Sequence, residues 1–185
     1  MPAPSQTGEA FDRWVADHVA VLYRVAYRLL GNGHDAEDVV QDAFRSAWTS
    51  RHLFDRSRSE RAWLLAILRR RVADHWRRRG PREVAAGADF NSPAGGEADP
   101  FADELSAVMQ AALDRLPREL RETLLLVVVG ELTHQEAADV QGIPLGTVLS
   151  RVSRARSRLR GFLLESAPSA NGRVPSRQSP SARHD

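Results

Sequence analysis

Between Thr147 and Arg160 the chain sets five arginines and three serines around a helical repeat of apolar residues. Guanidinium groups fork onto phosphate oxygens and guanine edges, and hydroxyls bond to either, so this is the chemistry of recognition rather than of bond-making. Val148, Val152, Ala155 and Leu159 recur at i, i+4, i+7 and i+11, the spacing of one buried helix face. Ser150, Arg151, Arg154 and Arg158 lie off that stripe, where an anion can reach them. The preceding residues, THQEAADVQGIPLG, have the pattern of a helix that could hold this one in place. Thr133 with Glu136 three residues on is a capping box, each side chain satisfying an orphan backbone N–H of the new helix. Ala137 and Ala138 are small enough for another helix to cross closely. Gly142 can take the left-handed conformation that ends a helix, and Pro144 discourages continuation. A capped helix, a tight turn and a basic helix make a helix-turn-helix, which lays its second helix in the DNA major groove. An ordinary αα-hairpin with a solvated basic face has the same pattern, and this segment alone leaves both readings open.

Charge is unevenly spread although the net value is only +2. Arg61 to Arg82 holds eight arginines and one acid, Glu83 to Arg115 seven acids and one arginine, and Thr147 to Glu165 has a local balance of +4. Two basic blocks around an acidic one imply two anion-facing surfaces. All 26 basic residues are arginine, which a GC-rich coding bias also produces. Cysteine is absent, which excludes disulfides, thiolate metal sites and thiol catalysis. The six histidines are scattered; His34, His75 and His134 lie in or beside helices, where surface or capping roles suffice. No acid cluster has metal-ligand spacing and no glycine loop has a phosphate-loop pattern. The expectation is a protein that is not an enzyme and uses no cofactor. No apolar run approaches a membrane span, Leu124 to Val129 being only a buried-helix segment. MPAPSQTGEAFDRW lacks the basic-then-apolar pattern of a signal peptide, so a soluble, cytoplasmic protein without direct membrane insertion is expected.

The elements that must position these surfaces divide the chain into an all-α arrangement of two small helical domains. Residues 1–10 read as a disordered lead-in, 11–79 as a first helical block, 80–102 as a flexible linker, 103–165 as a second block and 166–185 as a disordered tail. The linker carries four glycines and three prolines without sustained periodicity. In the first block a helix from about Phe11 to Leu30 buries Val15, Val19, Leu22, Ala26 and Leu29. Gly31-Asn32-Gly33 ends it, and Asp35 caps a second helix with Ala36, Val40, Ala43, Ala47 and Trp48 inward. Asp38, Gln41, Asp42 and Arg45 occupy its other face, which by itself reads as solvated. A third helix, from about Glu60 to Arg79, buries Trp63, Leu64, Ile67 and Ala73 and exposes Arg69, Arg70, Arg71, Asp74, Arg77 and Arg78. Trp63 and Trp76 in such a basic helix serve either as stacking platforms for bases or as core.

The order of four segments resembles the extracytoplasmic-function (ECF) group of bacterial RNA polymerase sigma factors. They are DAEDVVQDAFRSAW (Asp35 to Trp48), RAWLLAILRRRVADHWRRR (Arg61 to Arg79), LDRLPRELRETLLL (Leu113 to Leu126) and LTHQEAADVQGIPLGTVLSRVSRARSRLR (Leu132 to Arg160). The resemblance spans about residues 11–164. It implies a sigma region 2-like domain at 11–79 and a sigma region 4-like domain at 103–165, a subunit that directs promoter-specific initiation. Asp38, Gln41 and Asp42 match the family's surface for the clamp of the largest subunit of core RNA polymerase. Thr49 to Glu60 matches the segment that captures a base flipped from the −10 element, a step that costs a few kcal/mol and is offset in part by roughly 1–3 kcal/mol of stacking per base. On the helix that follows, Arg70 and Asp74 match −10-contacting positions, with Arg69 and Arg77 beside them; relatives commonly have asparagine where Arg70 stands. Thr147, Ser150, Ser153, Arg154 and Arg156 match positions facing the −35 element, and Arg151 completes that set. Leu149 stands where some relatives use arginine. The resemblance further implies promoter DNA as partner and an anti-sigma factor as regulator. A free-standing helix-turn-helix repressor is the competing reading; it calls for a dimerising helix or an effector domain, where this chain has a second basic helix and an acidic face.

Overall fold

Leucine and valine at helical spacing, almost without proline inside the periodic stretches, leave the chain little choice but helices that bury one face each. A computed structural model describes residues 4–86 and 107–166, with side chains for 8–79 and 107–165. Among the described residues all regular structure is helical. The helices are α1 (Pro4–Leu30), α2 (Gly33–Ser50), α3 (Glu60–Ala86), α4 (Ala107–Asp114), α5 (Arg118–Val128), α6 (His134–Gln141) and α7 (Leu145–Ser166), with a 3-10 turn at Arg51–Leu53. α1, α2 and α3 pack mutually as one unit, and α4 to α7 form the second around α5 and α7. The expected lead-in is thus helical from Pro4 onward, and α3 continues through Ala86 into the expected linker; most of that linker and the tail lie outside the described residues.

In the first unit Leu22, Val25, Ala26 and Leu29 of α1 meet Val39, Val40, Ala43 and Ala47 of α2 and Leu64, Leu65, Leu68 and Val72 of α3. A fully buried leucine of this kind contributes about 1.5–3 kcal/mol. Two expected core positions are corrected. Val19 is 40 % exposed, since Val21 and Val25 turn inward instead. Trp48 is 39 % exposed, lying edge-on to Phe11 at 5.0 Å with the Arg51 guanidinium 3.8 Å above its ring. The α1–α2 turn is corrected as well. Gly31 takes the left-handed conformation, φ 71°, and Asn32 rather than Asp35 caps α2, its side chain accepting from the Asp35 N–H at 3.2 Å. Asp35 is turned inward, its oxygens 2.8 and 3.2 Å from the two terminal nitrogens of Arg79, with His75 at 3.8 Å. That fork clamps the start of α2 to the far part of α3.

In the second unit the capping box forms as the sequence indicates. Thr133 Oγ1 accepts from the Glu136 N–H at 3.2 Å, and Glu136 Oε2 accepts from the Thr133 N–H at 2.8 Å. Gly142 ends α6 at φ 66°, ψ 37°. Ala137 and Ala138 are buried where α7 crosses, against Val148, Val152 and Ala155, so the apolar stripe faces inward as expected. The α5–α6 turn is less ordinary. The Leu132 N–H reaches back to the Leu126 carbonyl at 3.1 Å, which places Glu131 at the left-handed position, φ 55°. Glycine stands one residue earlier, at Gly130. A Cβ there would lie 2.6 Å from the Leu126 carbonyl oxygen and 2.9 Å from Leu65 Cδ1 of α3, so the glycine serves close approach instead.

Candidate nucleic-acid interface

α7 presents its basic residues because the inward stripe fixes its rotation. With Val148 and Ala155 fully buried, Ser153, Arg154 and Arg156 are forced outward. Arg154 lies along its own helix, Nε donating to the Ser150 carbonyl at 3.2 Å and Nη2 to Ser150 Oγ at 2.9 Å. Arg156 is exposed and bonds to nothing among the described residues. Thr147 and Ser150 are half-buried at the start of the face, Ser150 Oγ donating to the Thr147 carbonyl at 3.0 Å. Arg151 differs from the rest of the set. It is half-buried and donates to Gln141 Oε1 at 3.2 Å, the oxygen that also accepts from the fully buried Thr123 hydroxyl at 3.0 Å. It therefore ties α7 to α6 and α5 before it can serve a ligand. Leu149, 48 % exposed, puts an apolar surface amid these polar groups, of the kind that meets a thymine methyl.

On α3 the four −10 candidates share one face, but not in the open form that the sequence suggests. Arg70 and Arg77 are exposed, Arg69 and Asp74 half-buried. Arg77 and Arg71 both pair with Asp74, the latter at 3.4 Å, while Arg69 Nε donates to Glu122 of α5. Arg69, Arg70, Ala73, Asp74 and Arg77 line an open cleft of about 370 Å³ whose opposite wall is Arg118 and Glu122. Trp76, a candidate stacking platform, carries the Arg118 guanidinium 3.9 Å over its ring. Trp63 is core: it packs with Phe54 and Trp14 at centroid distances of 5.2 and 5.9 Å.

The segment from Thr49 to Glu60 is helical at its start, since α2 reaches Ser50, and then turns at Arg51–Leu53. Its bend is held by Asp55, whose Oδ1 accepts from the N–H and the hydroxyl of Ser57 at 2.9 and 2.8 Å. Those bonds, led by the backbone one and aided by Arg58, hold the Asp55 carboxyl below its ordinary value. Beside the bend, Arg13, Trp14 and Asp17 of α1 and Phe54, Arg56 and Arg58 of the loop line a second open cleft of about 430 Å³.

The third candidate surface lies on α2. Asp38, Gln41 and Asp42 fall at i, i+3 and i+4 on the face away from the core, the first two exposed and the third half-buried. Arg45 bonds Asp42 at 2.6 Å and Gln41 at 3.3 Å, and His34 stands 3.8 Å from Asp38. Among the described residues there is no group of three acids or histidines able to hold a metal ion, and no helix long and apolar enough to cross a membrane.

Residues 14–82 match the family described as Sigma-70 region 2, and residues 106–159 match Sigma-70, region 4. The ECF RNA polymerase sigma factor SigW of Bacillus subtilis is 32 % identical over 151 residues, covering 75 % of this chain and 81 % of its own length. The chain belongs to the ECF sigma factors. The ECF sigma factor SigE of Mycolicibacterium smegmatis is 36 % identical over 159 residues, 83 % of this chain, which spans 62 % of that relative's length. Among solved structures, the sigma factor RpoE of Bartonella quintana in complex with the anti-sigma factor NepR matches with a TM-score of 0.71 and 32 % identity. That match covers 86 % of this chain and 99 % of the other. As an ECF sigma factor the chain is a non-enzymatic transcription initiation factor, and the two matched regions coincide with the α1–α3 and α4–α7 units. Periodicity and charge pointed to α7 and α3 in the sequence. Glu122, Arg118 and Glu131, which reach α3 from the second unit, carried no local signal and were missed.

Proposed function

We propose that this chain is an alternative sigma factor whose three surfaces divide the work of initiation. Asp38, Gln41 and Asp42 on α2 dock the basic clamp helices of the largest subunit of core polymerase. Arg69, Arg70, Asp74 and Arg77 on α3, with the loop before it, read the −10 element as opened strand. Thr147, Ser150, Arg151, Ser153, Arg154 and Arg156 on α7 read the −35 element in the major groove. The observation that carries this reading is the presence of both sigma regions, on separate helical units of one chain. A repressor needs only the helix-turn-helix. Because the similar RpoE is held in complex with an anti-sigma factor, a cytoplasmic anti-sigma partner that covers one or more of these faces is part of the proposal. With cysteine absent, redox sensing resides in that partner.

The test is transcription by purified core polymerase on a library of promoters, with and without the protein. Selective initiation that requires both components is the expected result. Tight binding of the isolated chain to one duplex operator, with nothing added by core polymerase, would show a repressor instead.

A further inference from the structure

We infer that in the free protein the second helical unit shuts the −10-reading face of α3, with Glu122 of α5 occupying the place of a nucleic-acid anion. The inference rests on the proposed reading of that face. Arg69 is the first ground for it. Its guanidinium donates to Glu122, whose side chain is only 12 % exposed, so the carboxylate is sealed against α3 rather than waving in solvent. An Nε–H committed to that carboxylate is not available to a phosphate or a base edge. The second is Trp76. A base stacks on an aromatic face, and here the Arg118 guanidinium from α5 already lies 3.9 Å over it. Thus both kinds of contact that single-stranded DNA requires, a cation and a ring face, are taken by groups of α5.

The closure is anchored at points away from the reading face. Arg61 at the start of α3 pairs with Glu131 in the α5–α6 turn. Leu65 closes on Gly130, where a Cβ would stand 2.9 Å away. On the other side Arg28 of α1, itself buried, donates to Gln110 of α4 at 2.9 Å. Glu131 is the one non-glycine residue with positive φ among the described residues, a conformation that disfavours glutamate and is kept only where the surroundings over-determine it. Its pairing with Arg61 is such a determinant. By contrast α7 keeps Ser153, Arg154 and Arg156 exposed. Closure therefore masks one promoter-reading surface and leaves the other open, and core polymerase has to separate the units for the −10 element to be read. The apparent affinity of the free protein for −10 strand is reduced by the fraction of molecules that are open.

The absence of cysteine permits a direct test on the full chain. Asp12→Cys on α1 and Ser157→Cys on α7, both exposed positions, carry a donor and an acceptor dye. In that background Glu122→Arg with Glu131→Arg sets like charges against Arg69 and Arg61. The expected result is lower transfer efficiency. Free variant should also bind a single-stranded −10 oligonucleotide, taken from a promoter active with the holoenzyme, about tenfold more tightly, with no such gain for a scrambled strand. Arg61→Glu paired with Glu131→Arg, which restores the ion pair reversed, should keep the transfer efficiency of the parent, and circular dichroism checks that each variant is folded. Equal transfer efficiency in parent and double-arginine variant overturns the closure. Lower transfer without a sequence-specific gain in binding overturns its masking role. Failure of the underlying reading shows elsewhere: Arg70→Ala holoenzyme would then retain the parent's full −10 preference.

Discussion

Replacing Arg154 by alanine separates recognition from folding more cleanly than any other change in the second unit. The side chain is exposed, and its bonds go back to Ser150 on the same helix, so its loss opens no cavity and strands no buried partner. Alanine is the better helix former, and an exposed substitution of this kind shifts stability by no more than about 0.5 kcal/mol. A fork onto a guanine edge is worth about 1–3 kcal/mol of discrimination. To reach the groove, however, Arg154 must give up the bond to Ser150 Oγ, and a hydrogen bond of that sort contributes about 1 kcal/mol net. The net loss therefore falls in the lower part of the range, about 5- to 30-fold at the base concerned. Initiation by holoenzyme on promoters with single −35 substitutions, at two salt concentrations, measures it. Arg154→Ala should flatten the preference at one position, leave the −10 preference intact and leave the thermal midpoint unchanged. Arg160→Ala, near the C-terminal end of α7, should instead weaken all promoters alike and reduce the salt slope by about one. If Arg154→Ala lowers every promoter equally and keeps the base preferences, Arg154 is a phosphate contact and the assignment fails.

The remaining predictions concern the other surfaces and the framework. Asp38→Arg with Gln41→Ala should weaken capture of core polymerase in a pull-down while circular dichroism is preserved, since both side chains are exposed; unchanged capture refutes the clamp assignment. Thr133→Ala removes a capping bond and should destabilise the second unit by about 0.5–2 kcal/mol, read as a lower thermal midpoint. Burial raises the Asp114 carboxyl above its ordinary 3.8 despite the opposing charge of Arg121 at 2.6 Å. A carboxyl raised on folding binds its proton more tightly when folded, so its contribution is greatest below 3.8 and is lost as pH rises through the raised value. Asp114→Asn should remove that descending part of the acid-side stability profile; a profile of unaltered slope would show that Asp114 does not titrate there.

What the sequence made legible was local. Thr133 and Glu136, Gly142, and the stripe from Val148 to Leu159 act within a few residues of one another, and each takes the role its spacing indicates. Choices between near-equal neighbours were not legible. Asn32 and Asp35 are both good caps, and only the pull of Arg79, 44 residues away, decides that Asp35 turns inward. Likewise Val19 and Val21 compete for one core, and the position of the neighbouring helices selects Val21. Arg69–Glu122 and Arg61–Glu131 join residues 53 and 70 apart, which leaves no periodicity to read. The −10 face consequently looked open in the sequence, when half of it is covered in the folded chain.

The fork between Asp35 and Arg79 has a mechanical consequence. It braces the first turn of α2 against the far part of α3, so the two helices behave as the arms of a set square rather than as independent rods. Whatever angle α2 adopts when seated on polymerase is handed undiminished to the arginines of α3. The path from the clamp to the −10 strand then has almost no give of its own. Differences in length between the two promoter elements have to be absorbed where the α1–α3 and α4–α7 units meet, and a promoter with an awkward spacer would be rejected there rather than at either element.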